Sequence, residues 1–357
     1  MSNVSAPNHT HYGIGKSPMG HWEPIARHFL YLVVGFALLT TNAVLCAAIV
    51  RYKALRGMKE YVIIGGLALA DALTGLATCI AGGYRAFVVL LGVADNPASS
   101  RFCNLMPHIV IWNFSDIAQP WMLFAQSADR LLLVSIPLSY MTFRIRYAYA
   151  LVGPVYGIGI LQATYTLLWG TIPQESSRGY ETMSCLTTDA YQMDLLSFRM
   201  GACIAAAMGS IVIYAVVLLV HQRRIDKFKA DKGALIQRKM DFQKELTKSI
   251  GLSCLCTFLL YGLPHISSLL VQRLCSESFY SVYDCYVFML ACLNPLLNVF
   301  IYRLRQPEIK MAIEALFKCK DMPANVDMWH LQLLVRSDRE EILTFKLPPC
   351  LIPRGPN

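Results

Sequence analysis

The chain has 357 residues, of which 55% are hydrophobic and only 15% are charged, and its formal net charge is +9. An ordinary soluble protein carries about 25% charged residues, so this composition excludes a pair of soluble domains. The apolar residues stand in long blocks that short polar stretches separate, which is typical of a chain that crosses a membrane several times.

Seven blocks are long enough to span a hydrocarbon core about 30 Å thick, which takes about 20 apolar residues of helix. They cover residues 29–50, 61–83, 104–134, 147–171, 195–220, 246–272 and 281–302. Lipid offers no hydrogen-bond partner to an unpaired backbone group, so each block must be helical. The sequence therefore predicts an all-α membrane protein, a bundle of seven transmembrane helices.

Basic residues indicate how the bundle is oriented. They follow the first, third and fifth blocks, and nine lysines and arginines lie between residues 223 and 248. The positive-inside rule places these stretches in the cytoplasm, facing anionic lipid, and the N-terminus outside. The glycosylation acceptors Asn3 and Asn8 lie in this outer tail. We expect a multi-pass plasma-membrane protein with an extracellular N-terminus and no nucleic-acid partner.

The polar flanks divide the chain into four parts. These are a glycosylated outer tail (1–27), the seven-helix domain (28–303), an amphipathic helix on the membrane surface (304–319) and a cytoplasmic tail (320–357). The surface helix is predicted because Ile309, Ala312, Ile313, Leu316 and Phe317 share one face. Cys319, the last residue of that stretch, is a candidate for palmitoylation.

Four of the twelve cysteines fall on the oxidising outer side, where disulfides are expected. Cys103 opens the third block and Cys185 lies in the longest outer loop, so a bridge between them would hold that loop over the bundle. Cys275 and Cys285 flank the last outer loop and form a second, weaker candidate pair. No cysteines or histidines show the spacing of a metal site.

The end of the third block carries the most specific motif. Asp129-Arg130-Leu131, followed by Pro137-Leu138, resembles the Asp-Arg-Tyr signature and the later Pro-Leu pair of rhodopsin-like G-protein-coupled receptors. A charged pair at the membrane edge is costly and needs a functional reason. The resemblance implies the seven-helix receptor fold and a heterotrimeric G protein as the cytoplasmic partner.

Other blocks match the same family in order, and the resemblance covers about residues 29–318. The matching motifs are Asn42, Leu67-Ala68-Leu69-Ala70-Asp71, Tyr214, Phe258 to Pro264, and Asn298 to Tyr302. The seventh block also contains a literal Asn294-Pro295, but the frame starting at Asn298 agrees better with the residues after Tyr302. The run from Leu69 to Ala77, with Tyr84-Arg85 after it, is similar to nematode serpentine chemoreceptors of class sx.

The resemblance implies two groups of working residues. The activation switch would comprise Asp129, Arg130, Pro137, Tyr214, Asn298 and Tyr302. The polar core, a possible sodium site, would comprise Asn42, Asp71, Gln119, Asn294 and Asn298. The plain alternative is that Asp71 only braces helices by bonding to Asn42 and Asn298. Lys244 stands where the family keeps an acid opposite Arg130, and Glu245 is one residue off, so we expect raised basal activity.

The ligand pocket is predicted from polar residues in the outer halves of the helices. The candidates are Trp112, Asn113, Asp116, Arg199, Gly262 and His265. Trp112 stands where amine receptors carry their aspartate, and Cys292 stands where opsins carry their lysine. Asp116 has no lysine or arginine from the sixth or seventh block to pair with, so we expect a cationic or hydrogen-bond-donating agonist. Gly262 in place of a large aromatic is expected to leave free volume.

Three functions fit the sequence. The first is an orphan chemosensory receptor that binds an extracellular small molecule, and the second is a neuropeptide receptor of the same fold. The third, a seven-helix transporter or channel, is disfavoured because the chain shows no internal repeat. No nucleophile and base stand in a catalytic arrangement, so an enzyme is not expected.

Overall fold

The computed structural model describes residues 22–171, 181–186, 193–228, 247, 250–275 and 277–318. Its helices are α1 (Trp22–Arg51), α2 (Lys53–Arg56), α3 (Lys59–Leu90), α4 (Ser100–Asn104), α5 (Pro107–Ser135), α6 (Pro137–Thr142), α7 (Ile145–Thr171), α8 (Met193–Phe228), α9 (Leu263–Leu274), α10 (Glu277–Arg305) and α11 (Pro307–Phe317). Two short strands, β1 (Pro97–Ala98) and β2 (Glu181–Thr182), complete the described structure.

Six membrane spans are evident from length and hydropathy. They lie within α1, α3, α7, α8, residues 250–271, and α10. The remaining long helix is α5, which has 29 residues and is about 44 Å long at 1.5 Å per residue. It packs against α3, α7 and α8, so its polar side chains face other helices rather than lipid. The predicted bundle of seven helices is confirmed, with the least apolar helix at its centre.

The first two spans approach each other closely because they meet through glycines. A Cβ atom added to Gly35 of α1 would collide with the backbone of α3 at Cys79. A Cβ atom added to Gly75 of α3 would likewise collide with the backbone of α1 at Leu39. Small residues at such contacts let helix backbones pack directly, which supplies the dispersion energy that lipid cannot provide.

A two-stranded sheet and a disulfide cap the outer side. In the sheet, Pro97 pairs with Thr182 and Ala98 pairs with Glu181. The bridge between Cys103 and Cys185 ties the same loop to α4, just before α5, which confirms the first predicted disulfide. Cys275 and Cys285 are both free thiols, so the second candidate bridge is not formed.

The end of α3 also holds the outer loop. Tyr84 donates a 2.8 Å hydrogen bond to the carbonyl of Met183. Arg85 donates to the carbonyls of Ser184 and Cys185 at 3.1 and 2.9 Å. These bonds hold residues 183–185 against the end of α3 independently of the disulfide.

The sixth span (residues 250–274) changes helix type in the middle. Residues 250–257 are α-helical, Phe258–Gly262 form a π-helix, and α9 continues from Leu263. Pro264 has no N–H to give to the preceding turn, and Leu263 donates instead to Phe258, five residues back. Such π-turns weaken a helix locally and frequently occur at functional sites.

After the last span, α11 lies in the stretch where the amphipathic helix is predicted. Ile309, Ala312 and Ile313 are buried, and the helix contacts α1 and α10. Tyr61 of α3 donates a 3.1 Å hydrogen bond to Glu308. The apolar face of α11 therefore packs on the bundle itself. Cys319, Asn3 and Asn8 lie outside the described residues.

The orientation of the bundle predicts which end of the chain is accessible from outside. An epitope tag at the N-terminus should be labelled by antibody in intact cells, and a tag at the C-terminus only after permeabilisation. Changing both Asn3 and Asn8 to Gln should increase the mobility of the chain on a denaturing gel, because its glycans would be lost. A C-terminal tag that labels in intact cells would contradict this orientation.

Candidate functional site

A cavity of about 180 Å³ opens between the outer halves of the helices. It is lined by residues of α1, α3, α5, α8, the sixth span and α10. Its lining includes Tyr31, Thr74, Arg85, Trp112, Asp116, Gln119, Arg199, Met200, Cys203, Tyr261, His265, Tyr280, Asp284, Phe288, Ala291, Cys292 and Pro295. Of the predicted ligand-binding residues, the structure places Trp112, Asp116, Arg199 and His265 here, and it adds Gln119 from the predicted polar core.

Asp116 and Arg199 form an ion pair across α5 and α8. A carboxylate oxygen of Asp116 lies 3.5 Å from Nη1 of Arg199, which also donates a 3.1 Å hydrogen bond to Asn113. The expectation that Asp116 lacks an internal partner was wrong, because only the sixth and seventh blocks were considered and the partner comes from the fifth. Asp116 therefore gives no reason to expect a cationic agonist.

Gly262 does not open the cavity downward. A Cβ atom added to it would lie 3.7 Å from Cδ2 of Phe258 and 3.8 Å from the sulfur of Met208, so neighbouring side chains fill that space. The glycine lies in the π-helix, and its neighbour Tyr261 lines the cavity instead. The expected free volume beside Gly262 is therefore not found.

Aromatic rings form one wall of the cavity. Phe288 of α10 stacks on Tyr31 at 5.3 Å and meets Trp112 edge-on at 5.5 Å. The ring of Trp112 also contacts His108 at 5.7 Å. Sequence reasoning missed Tyr31 and Phe288, because an aromatic residue in an apolar block looks the same whether it faces lipid, another helix or a cavity.

The polar core lies deeper, where four side chains are almost completely buried. Asn42 donates to the carbonyl of Leu38 at 3.0 Å, and Asn298 accepts a 2.5 Å hydrogen bond from Ser253. The hydrogen bonds from Asp71 to these two asparagines, which the alternative of a purely bracing role requires, are not formed. One oxygen each of Asp71 and Asn42, and the amide nitrogens of Asn294 and Asn298, have no hydrogen-bond partner.

The two oxygens without donors and the two amide nitrogens without acceptors would need small bound species, such as an ion or waters, to satisfy them. Asp71 and Asn42 offer the oxygen ligands that a hard cation such as sodium takes, and the amide nitrogens cannot ligate a cation. The residues therefore fit a sodium ion only if waters complete its coordination. They fit a cluster of buried waters equally well.

Further in, α5 and α10 are joined by Gln126 and Tyr302. The amide nitrogen of Gln126 donates a 3.1 Å hydrogen bond to the hydroxyl of Tyr302, and both side chains are buried. Thr257 of the sixth span donates a 3.1 Å hydrogen bond to Asn294, one turn before Asn298. Tyr302 and Asn298 thus both stand at contacts between spans, and Gln126 is a partner that sequence reasoning missed.

At the inner end, Arg130 is held within its own segment. Its Nε donates to Asp129 at 2.9 Å, and its Nη2 bonds to the same carboxylate and to the hydroxyl of Tyr140 at 3.1 Å. That hydroxyl donates to Asp129 at 3.0 Å, and Arg130 is only 1% exposed. Burial raises the pKa of the Tyr140 phenol, so the hydroxyl stays a proton donor at neutral pH.

Lys59 fixes the loop helix that carries Tyr140. Its ammonium donates to the backbone carbonyls of Tyr140 and Phe143 and lies 3.6 Å above the Tyr140 ring. These contacts dock α6, which begins at Pro137, onto the start of α3. Neither Lys59 nor Tyr140 was assigned a role from sequence, because one was read as a basic flanking residue and the other as the end of a motif.

The fifth and sixth spans also meet at the inner end. The Tyr214 hydroxyl donates to the backbone carbonyl of Thr247. A Cβ atom added to Gly251 would collide with the ring of Tyr214, so the missing side chain permits this approach. Lys244 and Glu245, on which the expected basal activity rests, lie outside the described residues.

These features define the class of protein. A cavity beside an outer loop held by a disulfide, a π-turn in the sixth span and a buried arginine at the inner end fit the seven-helix receptor that the sequence predicts. Residues 41–302 match the family model of the 7 transmembrane receptors (rhodopsin family). The chain therefore belongs to the rhodopsin family of G-protein-coupled receptors. This family membership argues against the alternative of a transporter or channel.

No curated protein matches the chain. The finer similarity to nematode chemoreceptors of class sx stays a prediction.

The inner cluster predicts that Tyr140→Phe raises basal signalling. The change removes the hydroxyl that bonds both Asp129 and Arg130 but keeps the ring under Lys59. A hydrogen bond to a charged group contributes about 1.5–3 kcal/mol, so the population ratio of resting to active receptor should fall by about tenfold or more. The measurement is ligand-free G-protein activation at matched surface expression. Tyr149→Phe is the control, because Tyr149 is 58% exposed on α7. Equal basal activity in both variants would contradict the assigned role.

Proposed function

We propose that this receptor converts the binding of a small extracellular molecule into activation of a heterotrimeric G protein. The observation that carries the proposal is the outer cavity, which the sixth span lines through Tyr261 and His265. A molecule bound there contacts the one span that contains a π-turn among the described helices, and so it can favour one packing of that span over another. A ligand shifts such an equilibrium only by its difference in affinity for the two states.

The size of the cavity favours a small molecule over a peptide. Pockets for drug-sized ligands are typically about 300–1,000 Å³, and this cavity holds about 180 Å³. Residues 183–185 are held by Tyr84, Arg85 and the disulfide. A peptide that displaced these residues on entering would therefore have to break several bonds. A chemosensory role is supported by this small cavity together with the similarity of residues 69–77 to class sx receptors.

We also propose that the polar core responds to ions or protons. Asp71 and Asn42 would hold a sodium ion between their free oxygens, with waters as the other ligands. Rearranging these groups would change the contacts of Asn294 and Asn298, which bond to the sixth span through Thr257 and Ser253.

The proposed coupling predicts that Arg130→Ala abolishes signalling. Arg130 is the buried cation that the inner end would present to the G protein once Asp129 and Tyr140 release it. The assay uses a promiscuous G protein as reporter in cells, with an agonist found by screening small molecules on the unmodified receptor. Surface expression of the variant should stay close to normal, because Asp129 and Tyr140 keep the hydrogen bond that joins α5 to α6.

Arg303→Ala is the matched control, since Arg303 is an exposed arginine at the inner end of α10. It should signal at normal strength. Full agonist response in Arg130→Ala, at equal surface expression, would sink the proposal that Arg130 couples the receptor to its G protein.

A further inference from the structure

The charged groups around the cavity are already used by the protein. Arg199 bonds to Asp116 and Asn113, and Arg85 bonds to the carbonyls of Ser184 and Cys185. Asp284 accepts a 2.8 Å hydrogen bond from Ser268. Two acids and two bases stand among the described lining residues, so their formal charges cancel. A charged ligand would have to displace one of these bonds and lose its own hydration as well.

Two lining residues also carry buried polar atoms for which the structure shows no partner. The indole nitrogen of Trp112 has no hydrogen-bond partner, although the residue is only 3% exposed. The Nδ1 atom of His265, across the cavity on the sixth span, is likewise buried without a partner. A buried donor without an acceptor costs about 1–3 kcal/mol, which a ligand can recover by accepting that hydrogen bond.

The surfaces beside these atoms are apolar. Phe288 meets Trp112 edge-on, and Tyr261 lies against His265 with ring centroids 4.3 Å apart. An apolar body packed there gains burial, at about 25 cal/mol per Å² removed from water. The site thus combines aromatic walls, an unused N–H donor and a histidine nitrogen in a space of about 180 Å³.

We infer that the ligand is a small uncharged molecule in which a carbonyl or similar acceptor, carried on an apolar body, receives the indole N–H of Trp112. This inference rests on the proposed function, because it assigns a ligand class to the cavity through which that function works. His265 supplies a second polar contact from the sixth span. A ligand spanning the two would join α5 to the sixth span.

Three probes of similar shape and different charge test the inference. They are acetophenone (a neutral ketone), 1-phenylethylamine (a cation) and benzoate (an anion). Each is added at increasing concentration to the purified full-length receptor in detergent, and the melting temperature is followed. The expected result is stabilisation by acetophenone, with little or no effect of the amine or the carboxylate at equal concentration.

The matched variant is Trp112→Phe, which keeps a ring in the aromatic wall and removes the N–H. A neutral hydrogen bond contributes about 0.5–1.5 kcal/mol, so the concentration of acetophenone needed for half the effect should rise by up to about tenfold. Trp121→Phe is the control for losing an indole on the same helix, and it should respond like the unmodified receptor. Its ring packs on Phe124, away from the cavity wall formed by Trp112 and Phe288.

Several results would overturn the inference. These are stronger stabilisation by the amine or by benzoate, no stabilisation by acetophenone, or an equal response in Trp112→Phe. The assay measures binding without a G protein, so any of these results leaves the coupling proposal standing. Loss of coupling with the ketone response intact would instead refute the proposed function alone.

Discussion

A polar side chain inside a membrane protein is costly unless it is paired, and the pairs that α5 makes organise the structure around this helix. Asp116, Gln126 and Asp129-Arg130 follow one another inward over about 21 Å of that helix. Each finds a partner on a different element, namely Arg199 on α8, Tyr302 on α10 and Tyr140 on α6. The helix that suits lipid least is therefore the one that the other helices surround.

Contacts of the sixth span run from the outer end of the bundle to the inner end. The sixth span lines the outer cavity at Tyr261, bonds to α10 at Thr257 and Ser253, and meets Tyr214 at Thr247. Ser127 of α5 contacts Cys254 of the sixth span with a sulfur–oxygen distance of 3.7 Å. The π-turn lies between the outer and inner groups of contacts. If a ligand acts as proposed, a change at the cavity would pass through these contacts of the sixth span.

The resting contacts of Arg130 come from Asp129 and from Tyr140, which Lys59 holds in place from α3. Tyr140 on α6 therefore helps to hold Arg130, a role that the family resemblance gives to an acid on the sixth span. This arrangement explains how a chain with Lys244 at that position can still keep its arginine buried. Among the described residues, the hydrogen bonds of this cluster join α3, α5 and α6.

Much of the architecture could be predicted because it follows from composition along the chain. Membrane thickness sets the length of each span, and the oxidising outer side favours the bridge from Cys103 to Cys185. The contacts between helices could not be predicted in this way. Counting residues gives the depth of Asp116 in the membrane but not which neighbouring helix faces it, so Arg199 was not recognised as its partner. The π-turn shifts what faces the cavity by a residue, so Tyr261 rather than Gly262 lines it.

The resemblance to a family assigned roles only to positions that carry a family motif. Gln126, Lys59, Tyr31 and Phe288 have no such motif, and their roles depend on contacts between segments distant in sequence. Tyr140 lies two residues after the Pro137-Leu138 motif, and its bonds to Asp129 and Arg130 require the loop to fold back on the bundle.

The pairing of the charged groups of α5 within the bundle is tested most directly by four melting temperatures. They are those of the purified receptor, Asp116→Asn, Arg199→Gln and the double variant. Removing one member of a buried pair leaves the other charge uncompensated, whereas removing both is often nearly neutral.

Asp116→Asn should lower the melting temperature most. It leaves the Arg199 side chain, which is only 8% exposed, without this carboxylate, whereas Arg199→Gln leaves the Asp116 side chain, which is 33% exposed and closer to water. The double variant should melt closer to the unmodified receptor than Asp116→Asn does. Equal and additive losses in the two single variants would contradict the account.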